Sequence, residues 1–127
     1  MLRPAEQEFL ERLGLSYEVT QEAGMIALVI KDWPVPAGYE PRQVDLLVRL
    51  PPGFPDAAPD MYWCNPPVTL AGSGAYPQAA DLFEPHLGRQ WQRFSRHLPG
   101  GAWQPGRDSL ESYLALIRTE LERTAPR

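Results

Sequence analysis

Residues 44–64 read VDLLVRLPPGFPDAAPDMYWC, and they contain the clearest strand and turn signals of the chain. The stretch begins with apolar and β-branched residues typical of a strand, and Pro51 and Pro52 end that strand because proline cannot donate a ladder hydrogen bond. After a turn rich in proline, a second apolar run follows at the end of the stretch. The stretch therefore predicts two strands, at about 43–50 and around 60–64, joined by a proline-rich connection.

The residues before this stretch predict a helix and a hairpin. Residues 2–13 carry apolar side chains at helical spacing, with Pro4 suited to the first turn and Gly14 to the C-terminal stop. Residues 15–21 alternate in part, and residues 24–33 form a strongly apolar run after a glycine turn. We therefore expect a short amphipathic helix and then an antiparallel hairpin.

The residues after the stretch predict an irregular segment and a second helix. Residues 65–107 lack sustained periodicity, and a segment of that length inside a compact domain is usually either functional or wrongly assigned; we interpret it as functional. Asp108 as N-cap and Glu111 three residues later suggest a capping box. One helical face is then apolar: Leu110, Tyr113, Leu114, Ile117 and Leu121. The predicted fold class is α+β, with a four-stranded antiparallel meander between two helices, in a single domain over residues 1–127.

Composition excludes several classes of function. The 12 basic and 16 acidic residues give a net charge of −4, the wrong sign for a nucleic-acid partner. No apolar run reaches the roughly 18 residues of a membrane span, and the N-terminus has no apolar signal-peptide core. A single cysteine forms no internal disulfide and fits a reducing compartment, so we expect a cytoplasmic protein. The histidines, the cysteine and the glycines show no familiar metal or phosphate spacing, so we expect neither a metal nor a cofactor.

The proline-rich turn also carries a resemblance to a known family. Pro51-Pro52, the aromatic-proline pair Phe54-Pro55, Pro59 and the following strand resemble the equivalent turn of ubiquitin-conjugating (UBC) enzymes. In those enzymes the catalytic cysteine is followed eight residues later by a tryptophan and then, two residues on, by a proline. Trp103 and Pro105 match this pattern, and Ser95 stands eight residues before Trp103. The resemblance implies a UBC-like fold from Leu2 to about Leu121, with serine at the position of the catalytic cysteine.

The run Trp91-Gln-Arg-Phe-Ser-Arg-His-Leu98 resembles a bacterial branch, the prokaryotic conjugating-enzyme-like family E. That branch is found beside ubiquitin-like proteins, activating-enzyme homologues and JAB-type peptidases. The resemblance implies that the protein carries a ubiquitin-like modifier as an oxyester on Ser95 and transfers it to an acceptor. It also implies a modifier and an activating enzyme as partners, and it suggests a role in antiphage defence.

The sequence departs from the UBC pattern at two places. Eukaryotic enzymes carry a His-Pro-Asn motif upstream of the catalytic residue, whereas the matching region here reads Pro85-His86-Leu87 and lacks the asparagine. Only one helix is predicted after Trp103, where the family usually has more. Both departures also fit a variant that has lost catalysis and binds the modifier or another pathway enzyme. A structural domain with no modifier is a third reading.

In any carrier role, Ser95 needs a positioned base or a highly activated donor, because an alcohol is almost fully protonated at neutral pH. His97 is the candidate base, since residues two apart in an extended segment project to one side with Cα atoms about 6.5 to 7 Å apart. His86 could serve as a second base, or its neighbourhood could replace the missing asparagine; the alternative is that it is an exposed loop histidine. Arg96 could stabilise an oxyanion, and Arg93 is a weaker candidate; both are expected on the side opposite Ser95. The alternative is that Ser95 caps a turn and that His97 packs on a tryptophan.

The remaining residues of interest are interpreted as packing. Trp91, Phe94 and Trp103 are expected to fix the segment that carries Ser95, because a nucleophile on an irregular segment needs rigid support. Cys64 lies at the end of a predicted strand with no basic residue near it in sequence. Free cysteine usually behaves as a core hydrophobe, so we expect Cys64 to be buried and not to be the acyl carrier.

Overall fold

A computed structural model describes residues 2–126 of the chain. The elements along the chain are α1 (Pro4–Leu13), β1 (Tyr17–Glu22), β2 (Met25–Pro34), β3 (Tyr39–Glu40), β4 (Gln43–Leu50), β5 (Tyr62–Asn65), β6 (Thr69–Leu70), β7 (Leu82–His86), β8 (Arg89–Phe94) and α2 (Leu110–Thr124). The main sheet has six antiparallel strands in the order β1-β2-β4-β5-β8-β7, and β3 pairs with β6 in a separate two-stranded ladder. The class is α+β, as predicted. Within residues 2–126, no helix is long and apolar enough to cross a bilayer.

The first half of the chain matches the sequence prediction closely. Both predicted strands around the proline-rich turn are present, as β4 and β5, and they are neighbours in the sheet. The first hairpin is β1 and β2, joined through Ala23 and Gly24, which both have positive φ and so form a tight turn. Gly14 ends α1 with φ 77°, a left-handed conformation that glycine adopts without strain.

The long irregular segment is the main correction to the predicted fold. Residues 65–107 contain a second hairpin, β7 and β8, so the sheet has six strands and not four. The hairpin turns at Leu87 and Gly88, both with positive φ, without the Asn-Gly or Asp-Gly signature. Pro85 lies inside β7, which is tolerable only because β7 is an edge strand. Gln92 interrupts the apolar pattern of β8, although it is fully buried.

The predicted N-cap of α2 is also wrong by one residue. Ser109 is the N-cap, and its hydroxyl accepts a hydrogen bond from the Ser112 backbone N–H at 3.3 Å. The Asp108 carboxylate instead closes the preceding turn by accepting from the Gln104 N–H at 2.7 Å, and it also accepts from the Ser112 hydroxyl. The predicted capping box at Asp108 and Glu111 is therefore replaced by one at Ser109 and Ser112.

The sheet has two unlike faces. The helix-covered face packs α1 and α2 against a large apolar core to which β2, β4, β5 and β8 all contribute. The five predicted stripe residues of α2 are all buried in that core. The opposite face, called the open face below, has a small apolar cluster of Ala27, Val29, Leu47, Trp63 and Trp91. Beside this cluster the open face carries charged side chains in place of a covering helix.

Candidate functional site

The segment that carries Ser95 lies directly against the end of the proline-rich turn. The pairing of β5 with β8 sets Tyr62 opposite Phe94, and their rings stack with centroids 4.7 Å apart. The Met61 N–H extends this ladder by donating to the Arg96 carbonyl at 3.1 Å. On the other side, the Ser95 N–H donates to the Ala79 carbonyl at 3.0 Å. The backbone around Ser95 is therefore held from both sides although it is no longer a strand.

Trp103 anchors the far end of the same segment. Its indole N–H donates to the Pro55 carbonyl at 2.8 Å, and its ring packs between Phe54 and Tyr113, with both centroids 6.2 Å away. Trp91 and Phe94 are fully buried. The prediction that the aromatic residues serve as packing is confirmed, and the aromatic-proline pair of the turn provides the contact surface for Trp103.

Ser95 is half-buried, and its hydroxyl accepts a hydrogen bond from Arg93 Nε at 3.1 Å. Arg93 is itself fixed, because one of its terminal nitrogens donates to Glu84 Oε2 at 2.8 Å. The expectation that Arg93 projects away from Ser95 is wrong, since two residues apart along a strand means the same face. A guanidinium at this place favours negative charge on the serine oxygen.

His86 lies at the end of β7, in the charge network of the open face. Its Nδ1 is 3.2 Å from Glu22 Oε1, its Nε2 is 3.4 Å from Glu84 Oε1, and its ring packs edge-on against Trp63. Glu84 thus contacts both His86 and Arg93. His86 is linked to Ser95 indirectly: it contacts Glu84, which binds Arg93, and Arg93 donates to the Ser95 hydroxyl. The histidine side chain is 12% exposed.

The two glutamates of this network are held in the ionised form. A hydrogen bond from the Leu87 N–H, at 2.8 Å, is the main cause that lowers the pKa of Glu22, with help from His86. Burial alone would raise the pKa of Glu84, but hydrogen bonds from Trp63 and Arg93 outweigh it and lower the pKa. Glu84 therefore stays negative and keeps Arg93 in place beside Ser95.

Arg96 lies on the helix-covered side and is bound to α2. Its Nε donates to Glu120 Oε1 at 3.0 Å, and a terminal nitrogen donates to the Gln78 carbonyl at 2.8 Å. The Tyr62 hydroxyl donates to the same Glu120 oxygen at 2.9 Å. Burial is the main cause that raises the pKa of Tyr62, and the Glu120 charge adds to it. Arg96 thus joins the Ser95 segment to α2, with its guanidinium engaged by a carboxylate.

His97 is exposed and pairs with a residue of the proline-rich turn. Its Nδ1 is 2.8 Å from Asp60 Oδ1, and the imidazole is 67% exposed. Among residues 2–126, no hydrogen bond joins His97 to Ser95. The two residues also line different hollows. Ser95 lines one of about 370 Å³, and His97 lines one of about 690 Å³ beside α2.

Cys64 lies in β5, the strand between β4 and β8, and it is buried in the core with only 1% of its surface exposed. Burial raises the pKa of its thiol, so the thiolate needed for nucleophilic attack is not formed near neutral pH. The prediction that Cys64 is a core residue is confirmed. Within the described residues 2–126, no group of three or more histidine, cysteine, aspartate or glutamate side chains could hold a metal ion.

Sequence reasoning did not find three residues that hold the candidate side chains. Glu84 fixes Arg93, Glu120 fixes Arg96, and Asp60 binds His97. Only the first had a usable signal, because in the β7–β8 hairpin Glu84 pairs with Trp91, which places Glu84 diagonally from Arg93 on the same face. The other two contacts join segments 24 and 37 residues apart, and no local pattern predicts them.

Comparison with known proteins identifies the family of the chain. The family model described as Prokaryotic E2 family E matches residues 2–124. The match spans both helices and all of the sheet. No curated protein and no solved structure matches the chain. The observed fold, with its proline-rich turn and the Trp103 anchor, lies entirely within the matched region, and the chain belongs to the prokaryotic E2 family E.

Proposed function

We propose that the protein carries a ubiquitin-like modifier as an oxyester on Ser95 and passes it to an acceptor. Membership of an E2-like family supports a conjugating-enzyme-like role with a modifier and an activating-enzyme-like protein as partners. The finer assignment depends on one observation, the hydrogen bond from Arg93 Nε to the Ser95 hydroxyl oxygen at 3.1 Å. The resemblance further suggests a bacterial, cytoplasmic pathway that includes a JAB-type peptidase and serves antiphage defence.

The chemistry of loading follows from this hydrogen bond. The serine oxygen attacks the carbonyl carbon of the activated modifier, the bond from that carbon to the activating enzyme breaks, and the hydroxyl proton passes to water, which protonates the departing group of the activating enzyme. Arg93 stabilises the charge that develops on the oxygen, and Glu84 prevents the guanidinium from moving away. Among residues 2–126, no acceptor binds the hydroxyl proton, so the proton is available for removal.

The first experiment combines the protein with the modifier, its activating enzyme and ATP, and measures intact mass. We expect an adduct that resists thiols, is cleaved by hydroxylamine, persists in Cys64→Ser and is lost in Ser95→Ala. Arg93→Ala should lower the loading rate by about 10²-fold, because the serine oxygen loses the cation that stabilises its developing negative charge. Arg89→Ala is the matched control, since Arg89 is a cation on the same face of β8 that pairs with Asp45 instead.

A non-catalytic binding module is the second candidate. The observation that favours it is that Arg96 and His97 are both engaged by carboxylates, of Glu120 and Asp60, and neither contacts the Ser95 hydroxyl. In that case the modifier would bind without forming an adduct, even with Ser95→Cys, which supplies the more reactive thiol. Binding measured by calorimetry together with the absence of an adduct on Ser95→Cys would therefore replace the carrier proposal.

A further inference from the structure

The contact between Asp60 and His97 favours one tautomer of the imidazole. A carboxylate can only accept hydrogen bonds, so the 2.8 Å contact requires the proton to lie on Nδ1 of the imidazole. In the neutral ring, Nε2 then carries the free lone pair. A carboxylate that binds Nδ1–H in this way fixes the tautomer and the orientation of a histidine, whichever reaction follows.

The backbone holds both partners of the pair. Met61, next to Asp60, has its N–H bound to the Arg96 carbonyl at 3.1 Å and its carbonyl bound by the Tyr113 hydroxyl at 2.6 Å. Met61 also has φ 61°, a left-handed conformation that is uncommon for a residue other than glycine. These contacts fix Met61, which follows Asp60, and Arg96, which precedes His97. Asp60 and His97 therefore meet without an induced rearrangement.

His97 is accessible to a molecule that enters the hollow beside α2. The imidazole is 67% exposed and lines the hollow of about 690 Å³ beside α2, together with Leu98, Tyr113 and Leu116. Arg96 lines this hollow and also the smaller one that contains Ser95, so the two hollows adjoin at its side chain. A group entering the larger hollow meets the free Nε2 before it approaches an acyl group on Ser95.

We propose that Asp60 is a positioning residue that holds His97 in the Nδ1–H form, so that Nε2 removes the proton from the acceptor amine during transfer. This inference rests on the proposed oxyester function. In the step, the amine nitrogen bonds to the ester carbon, the bond from that carbon to the Ser95 oxygen breaks, and the nitrogen loses a proton to Nε2. The exposed imidazole releases this proton to water, and water returns one to the Ser95 oxygen, beside which Arg93 lies.

The positioning role can be tested without any modifier. Nitrogen chemical shifts of the His97 ring, measured by NMR at a pH where the ring is neutral, distinguish the two tautomers. We expect the Nδ1–H form in wild type and a shift towards the Nε2–H form, which a free side chain prefers, in Asp60→Ala. Asp60→Asn should retain the Nδ1–H form, because its amide oxygen still accepts. Asp56→Ala, an exposed acidic residue of the same turn, is the matched control.

The base role is tested by single-turnover transfer. Protein loaded on Ser95 is freed of activating enzyme and ATP, then mixed with increasing concentrations of free lysine as the acceptor. His97→Ala should lower the saturating transfer rate about 100-fold, within the range of general-base catalysis. Asp60→Ala should lower it about 10-fold, with the half-saturating lysine concentration unchanged and loading unaffected. Asp60→Asn should restore most of the rate, because it retains the tautomer.

The outcomes separate this inference from the function on which it rests. If the wild-type ring is already in the Nε2–H form, or if Asp60→Ala leaves the tautomer unchanged, the positioning role is overturned even where Ser95 is loaded. A saturating transfer rate of His97→Ala equal to that of wild type overturns the base role, and equal transfer rates for Asp60→Ala and Asp56→Ala overturn the contribution of Asp60 to transfer. If no ester forms on Ser95, the base role fails together with the proposed function, whereas the NMR result still decides whether Asp60 positions His97.

Discussion

The two faces of the sheet are stabilised by different interactions, and Ser95 lies where they meet. On the helix-covered face, Phe94 and Arg96 point towards α2, where packing and one ion pair join the site segment to the core. On the open face, Arg93 takes part in a network of charged side chains with Glu84 and His86. The fold of this chain therefore depends chiefly on the helix-covered face, whereas the loading step proposed for Ser95 depends on Arg93 and Glu84 of the open face.

The largest loss of stability is expected from a substitution on the helix-covered face. Phe94→Ala should lower the free energy of unfolding by about 3–5 kcal/mol, because it removes a fully buried ring that stacks on Tyr62. The loss should be insensitive to salt. Chemical denaturation at low and high ionic strength measures both quantities. Phe83→Ala, on the exposed edge strand, is the control and should cost less than about 0.5 kcal/mol.

The open face should respond to a charge deletion instead. Glu84→Ala leaves the Trp63 indole N–H and the Arg93 guanidinium without their common acceptor, which should cost about 2 kcal/mol. Because charged groups take part, the stability difference between Glu84→Ala and wild type should be smaller at high salt than at low salt. If Glu84→Ala lowered the free energy of unfolding as much as Phe94→Ala and independently of salt, the two faces would not differ in what stabilises them. Denaturation curves of both variants, recorded side by side, decide this.

The parts of the molecule that the sequence predicts are those whose pattern is local. The helices, the first hairpin and the strands at the proline-rich turn follow from periodicity and from proline and glycine positions. The second hairpin could not be found in this way, because Gln92 is polar yet buried, with its amide bound to the backbone of Val68 and Ala80. Its burial depends on neighbours distant in sequence, and so do the contacts of Arg96 and His97.

A third prediction concerns Cys64, a buried residue of the core that is not expected to take part in the chemistry of the site. Since burial raises the pKa of its thiol, it should not react with a disulfide reagent at pH 8 in the native state, and one thiol per chain should react in denaturant. Cys64→Ala should cost about 1 kcal/mol, because only a small buried group is lost. Reaction of the native thiol at the rate of a free cysteine would show that the helix-covered face opens readily.

The smallest effect, and the most specific for the open face, is the pH dependence of Glu22. Its pKa is lowered from 4.5, chiefly by the Leu87 N–H and also by His86 and Arg49. A carboxyl whose pKa is lower in the folded protein stabilises the fold above its unfolded pKa, and that contribution is lost as the pH falls through the folded value. Glu22→Gln, which cannot ionise, should therefore be less stable than wild type at pH 7 by at most about 1 kcal/mol, because the carboxylate is partly exposed.

The difference between wild type and Glu22→Gln should shrink as the pH falls below 4.5, the ordinary value for this carboxyl. Thermal unfolding of both proteins between pH 3 and pH 7 measures it. Glu18→Gln is the matched control on the same strand, since its carboxylate is 66% exposed and lies 3.8 Å from Lys31, a pair of the kind that contributes little. A constant difference across this pH range would mean that Glu22 acts through packing, and the open face would then resemble the helix-covered face in what stabilises it.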